Sequence, residues 1–169
     1  MLDFIYTVET PEIDKEEDAI ELLVAADRFD CIQLKLFVES VLVEKFLKAG
    51  NAAALFLFAD SHWCALLKEA ATNRILDDAD SVKKTPDWRW VRESQRLMTE
   101  LLEASLEDER CSSAKRNRNG STSTGDPDRW NVTSLRRKLK RAKLEVDGSR
   151  EILVNRWKAH TEQTRAIRE

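Results

Sequence analysis

Apolar residues recur three and four positions apart along most of the chain, the spacing of amphipathic helices. In DKEEDAIELLVAADRF (14–29), Ile20, Leu23 and Val24 follow Asp14 and Glu17, whose spacing fits a capping box. Asp30 reads as a second N-cap, with Gln33 three residues on, before a stripe through Leu34, Phe37, Val38, Val41, Leu42 and Phe46. Gly50 fits a left-handed helix end. Asn51 can cap a helix over 52–60 that presents Leu55, Phe56 and Ala59, and the next helix carries Leu66, Leu67, Ala70, Ala71 and Ile75. After a break at 77–84, Thr85-Pro86 reads as N-cap and first-turn proline of a helix reaching about Leu106. Periodicity is lost over 109–129, where Ser, Thr, Asn and Gly mark a flexible linker. Val132, Leu135, Leu139 and Ala142 then share one helix face, and past Gly148 a last helix bears Leu153, Val154 and Trp157. The pattern predicts a mainly all-α fold.

One stretch occurs twice. ADRFDCIQLK (26–35) and ADSHWCALLK (59–68) share Ala, Asp, Cys, Leu and Lys at a spacing of 33. Two copies are too few for a solenoid. The matching offsets predict a helix ending at Ala-Asp, a tight corner, and a new helix beginning near Cys with its Lys outside. Asp is expected to bond free backbone groups at the corner. Cys31, Cys64 and His62 lack the CxxC or HxxxH spacing of a zinc site, and His62 and Cys64, two apart on a helix, face different sides. No metal, cofactor, catalytic pair or enzyme activity is expected.

Charge changes the picture more than composition does. Residues 1–110 carry 13 Lys/Arg against 24 Asp/Glu, whereas 111–169 carry 15 against 7, so a chain of net charge −3 has an acidic front and a basic rear. That asymmetry points to a protein-binding half and a half drawn to polyanions. Three cysteines (31, 64 and 111) form no paired framework and read as reduced thiols, and no apolar run has the length of a membrane span.

FIYT (4–7), LLVAADRFDCIQLK (22–35) and ESVL (39–42) resemble the C-terminal part of a BTB/POZ domain. NAAALFLFADSHWCALLKEAATNRI (51–75) is similar to the helices that follow that domain in speckle-type POZ proteins, and DWRWVRESQRLMTELLEA (87–104) matches more loosely. The resemblance covers residues 2–106. It implies a partial BTB/POZ helical bundle with a remnant N-terminal strand (1–50), then BACK/3-box-like helices (51–108). The implied role is an adaptor that recruits substrates to a cullin-based ubiquitin ligase, with Phe4, Tyr6, Phe29 and Phe56 at protein contacts. The upstream strands and the cullin-contacting segment of such domains precede FIYT in the family. With them missing, Leu2, Phe4, Ile5 and Tyr6 would lie bare, favouring self-association or loss of order over 1–12.

WNVTSLRRKLKRAKLEVDGSREILVNRWKAH (130–160) resembles a SAP motif, a helix–loop–helix unit of nuclear proteins that bind DNA or RNA, matching at Val132, Leu135, Leu139, Leu144, Gly148, Leu153 and Arg156. Lys143 stands where that family has Gly, and Trp157 replaces a smaller aliphatic residue. Asn131 can cap the first helix, while Ser149 opens the second, whose free N–H groups can receive a phosphate beside Arg150. The nucleic-acid-binding residues expected here are Arg136, Arg137, Lys140, Arg141, Ser149, Arg150 and Arg156, acting through backbone charge without reading sequence. Trp130 or Trp157 is expected to cover the small core. KRNR (115–118) and RRKLKR (136–141) fit nuclear-import signals, and Trp88 and Trp90 read as helix anchors. The whole describes a non-enzymatic nuclear adaptor joining a protein partner to nucleic acid. The alternative is a helical scaffold, or a truncated fragment, with neither ligase nor DNA-binding activity.

Overall fold

A computed structural model describes residues 13–115 and 127–166. Nine α-helices lie within the described residues: α1 (Glu16–Arg28), α2 (Ile32–Val41), α3 (Ala52–Ser61), α4 (Ala65–Asp77), α5 (Ala79–Val82), α6 (Trp88–Glu93), α7 (Gln95–Lys115), α8 (Val132–Arg141) and α9 (Arg150–Ala166). The fold is mainly all-α, as the periodicity predicts. The remnant strand and residues 1–12 lie outside the described residues.

The duplicated stretch forms two copies of one corner. In each, the Cys N–H donates to the carbonyl five residues back, Cys31 to Ala26 at 2.8 Å and Cys64 to Ala59 at 2.9 Å. The residue before each Cys is left-handed, Asp30 at φ 53° and Trp63 at φ 57°. This is the Schellman way of ending a helix. The end of α8 repeats it without sequence likeness: Leu144 donates to Leu139 at 3.0 Å, and Lys143 has φ 57°. Asp30 therefore ends α1 rather than capping α2, whose N-cap position is Cys31. Gly50 does not take the left-handed role, because its helix has already ended in a π turn, Leu42–Phe46, closed by Leu47 N–H to Leu42 O at 2.9 Å.

Nor is the repeated Lys outside. Lys35 is buried and reaches Asp27 at 2.8 Å, and Lys68 reaches Asp60 at 2.8 Å. Each copy thus ties the start of its second helix to the end of its first by an ion pair, so the repeated Asp bonds a side chain rather than the backbone. Ala26 and Ala59 are fully buried, where any larger side chain would hold the crossing helices apart. The two corners touch through His62 Nδ1, 3.2 Å from Asp27 Oδ2.

Several caps differ from the expected ones. α1 starts after Lys15 with no side-chain cap, so the Asp14–Glu17 box does not form. Asn51 occupies the N-cap position of α3, but its side chain works elsewhere. It accepts from Lys48 N–H at 2.8 Å and donates to Phe46 O and Glu16 Oε1, both at 2.9 Å, fastening the π turn to α1. Thr85 bonds Val82 O instead of capping α6, and the backbone turns extended at Ser94, dividing the expected single helix into α6 and α7. α7 then runs to Lys115, past the expected linker boundary at 109.

Buried residues form three clusters. One lies among α1, α2 and the near sides of α3 and α4, around Leu23, Leu34, Val38 and Leu67. The second joins α3, α4, α6 and α7 around Phe56, Ile75, Val91 and Leu97. The third lies between α8 and α9 and takes in Ala65 of α4. The rear helix pair is therefore packed onto the front bundle.

Candidate functional site

The rear pair forms for reasons its sequence states. Asn131 accepts from Ser134 N–H at 2.9 Å, an N-cap as expected. Val132, Leu135 and Leu139, spaced three and four apart, are fully buried against Leu153 and Val154. Gly148 has φ 116°, and a Cβ there would meet Ile152 Cγ2 at 3.1 Å, so the entry to α9 requires glycine. Trp130 and Trp157, ring centroids 5.8 Å apart, lie along the edge of this core.

The seven residues expected to bind nucleic acid separate into three groups. Arg137, Lys140 and Arg141 are exposed on α8. Arg136 is not available: its Nη1 lies 2.8 Å from Glu39 Oε2, and Glu39 is fully buried within α2. Glu39 Oε1 in turn accepts from Leu66 and Leu67 N–H, at 2.6 and 3.0 Å, serving as the N-cap that Cys64 cannot supply to α4. Arg156 donates to the carbonyls of Glu145 and Asp147 at 2.9 and 3.0 Å and pairs with Glu145 Oε2 at 3.1 Å, holding the loop between α8 and α9. Arg136 and Arg156 thus each tie parts of the chain together. Arg150 is exposed and its guanidinium bonds Asp128 O, while Ser149 Oγ stands 3.5 Å from Ile152 N–H.

Lys138 is also engaged, its Nζ 3.8 Å from the Trp130 ring centroid and 5.6 Å from that of Trp157. Sequence reading missed the acidic side of the junction altogether. Besides Glu39, Glu69 accepts from Val132 N–H at 2.7 Å, and Asp147 lies 3.4 Å from Lys35. Nothing in the local pattern marks these residues, because each partner across the junction lies at least 63 positions away. Exposed Lys143, in its left-handed corner, joins the cationic face of α8.

Of the residues expected at protein contacts, Phe4 and Tyr6 lie outside the described residues. Phe29 is 61% exposed at the first corner, free for a partner. Phe56 is fully buried in the second cluster and belongs to the core, because α3 is sandwiched on that side. Trp63, Trp90, Leu102 and Leu106 are further exposed apolar side chains.

Titration follows burial and pairing. Burial, with Glu39 nearby, pushes the Cys64 thiol up to about 12, which leaves it unreactive. Burial raises the carboxyls of Asp27 and Asp60, but hydrogen bonds from Lys35 and His62 to the one, and from Lys68 and Arg96 to the other, outweigh it and hold both below the usual range. At Glu69 burial wins over the Val132 bond and the pKa is raised. Among the described residues no group of three or more His, Cys, Asp or Glu could hold a metal ion, and no helix is long and apolar enough to cross a membrane.

With this geometry in place, comparison with known proteins adds to the picture. No protein-family model matches the chain. It is 31% identical over 112 residues, 66% of its length, to the mouse protein "TD and POZ domain-containing protein 1", and 36% identical over 103 residues, 60% of its length, to mouse "TD and POZ domain-containing protein 4". A nematode relative, "BTB and MATH domain-containing protein 42" of Caenorhabditis elegans, is 30% identical over 107 residues, 63% of the chain. The relatives are BTB/POZ-containing proteins. The chain spans 26–30% of their length.

Proposed function

We propose that the chain is a non-enzymatic adaptor, in which the α1–α7 bundle docks another protein and the α8–α9 pair brings that complex to nucleic acid. The observation that carries the first half is the similarity to BTB/POZ-containing proteins over about 60% of the chain, which supports a protein-interaction module. A cullin scaffold of a ubiquitin ligase is the first partner to test, and a second copy of the chain is the next. Pull-down of the full chain with a purified cullin scaffold separates a ligase adaptor from a scaffold of another kind. No retention at micromolar concentration would remove the ligase role and leave protein docking by another partner.

The nucleic-acid half rests on Arg137, Lys140 and Arg141, which remain exposed on one short helix. Such cations grip phosphates by releasing counterions. Titration of the chain with duplex DNA should show affinity falling roughly 40-fold between about 50 and 200 mM salt, the response to about three phosphates neutralised. Binding that ignores salt, or none at low salt, removes this half. Nuclear residence belongs to the same proposal and is read by imaging the tagged chain in cells.

A second reading, a helical scaffold with no polyanion partner, is favoured by one observation. Arg136, Lys138 and Arg156 are committed to contacts within the chain, which leaves the cationic face smaller than the sequence indicates.

A further inference from the structure

We propose that the cleft between residues 83–86 and α6, on the front bundle, is a base-stacking site for single-stranded nucleic acid. The cleft is open-sided, about 510 Å³ in volume, and its lining includes Lys83, Pro86, Trp88, Arg89, Trp90 and Arg92. That volume lies within the range of roughly 300–1,000 Å³ typical of small-ligand pockets.

The two tryptophans, alike in sequence, have different surroundings. Val91 is fully buried and Trp88 packs against the second core, so α6 is anchored without Trp90. Trp90 is 59% exposed. The Arg89 guanidinium carbon stands 5.7 Å from the Trp90 ring centroid, and Arg89 Nε donates to Glu93 Oε1 at 3.0 Å, which ties the cation beside the ring to α6. A largely exposed indole with a guanidinium over its ring brings together the two groups on which unpaired bases stack.

Charge favours the same ligand. Residues 83–92 carry Lys83, Lys84, Arg89 and Arg92 against Asp87 alone, inside a half of the chain in which acidic residues predominate. Among the described residues neither Lys83 nor Arg92 has an ion-pair partner, and both line the cleft, so both can meet phosphates there. A duplex hides its base faces, and an acidic peptide would use the cations without needing the indole. The inference shares its ligand class with the reading of the α8–α9 pair but none of its residues.

The test titrates the full chain with a fluorescently labelled oligothymidylate of about twelve nucleotides. The variants are Trp90→Ala, Trp90→Phe and the triple Arg137→Gln/Lys140→Gln/Arg141→Gln. Trp90→Ala should weaken binding about tenfold, a stacked base's share, and Trp90→Phe should retain most of it. The Ala-to-wild-type ratio should persist in the triple background. Circular dichroism checks that each variant is folded, which the exposure of Trp90 favours. Equal affinity of Trp90→Ala and wild type overturns the inference. So does equal competition by inorganic polyphosphate, or preferential binding of a Glu-rich peptide, since neither offers a base. Loss of all binding in the triple variant with Trp90 intact overturns it while sparing the helix-pair reading. Loss in Trp90→Ala with none in the triple variant upholds it and leaves the helix pair to its own test with duplex DNA.

Discussion

Removing Arg136 tests how the rear pair is seated on the front bundle. Glu39 is fully buried and the Arg136 side chain is 13% exposed, so Arg136→Met would strand a carboxylate with no access to water. Breaking a buried pair from one side costs about 3–5 kcal/mol. The low end applies here, because Glu39 keeps its bonds from Leu66 and Leu67 N–H and its contact with Arg136 is too oblique to count as a hydrogen bond. Glu39→Gln keeps an acceptor for those two N–H groups but no charge. In that background Arg136→Met should cost about 1 kcal/mol or less, so a double-mutant cycle should return a coupling of about 2 kcal/mol. Urea denaturation of the full chain, wild type, both singles and the double, measures it. Equal costs of Arg136→Met in the two backgrounds would refute the reasoning. If Arg136→Met instead left stability alone and weakened DNA binding, the surface role expected from sequence would be restored.

Other expectations follow from the corners and from titration. Lys143→Gly should raise stability by about 0.5–1 kcal/mol by relieving a left-handed lysine, whereas Gly148→Ala should lower it by more than about 1 kcal/mol; opposite signs in thermal melts would contradict both. At pH 8 a maleimide should leave Cys64 unlabelled in the folded chain and reach it once urea is added, as read by peptide mapping; prompt labelling of the native protein would show that the thiol is not held up by burial. Asp27 and Asp60 are held below their unfolded pKa values, so the stability they contribute is full above the ordinary carboxylate range and is lost as pH falls through their folded values. Asp27→Asn with Asp60→Asn should therefore flatten the acid limb of the stability curve. Glu69 has the opposite sign: its raised pKa costs stability at neutral pH, and acidification relieves that cost, a trend Glu69→Gln should abolish.

Short-range pattern determined much of this protein. The helices lie where apolar residues recur at helical spacing, Asn131 caps α8, and Gly148 opens α9, because each depends on groups within about four residues. The duplicated stretch was legible as one packing unit for the same reason. Tertiary structure decided where the charges go. Lys35, Glu39 and Arg136 look like surface residues in sequence, yet Glu39 is buried against Arg136 and Lys35 is buried against Asp27 and Asp147, since burial of one charge is tolerable only beside another and Arg136 and Asp147 arrive from a distant part of the chain. It also decided which aromatic residues face solvent. Phe56 lies within α3 with helices packed on its side, whereas Phe29 lies just past the end of α1 at the corner, and the indole of Trp90 is largely exposed because Val91 and Trp88 already fill the core beneath it.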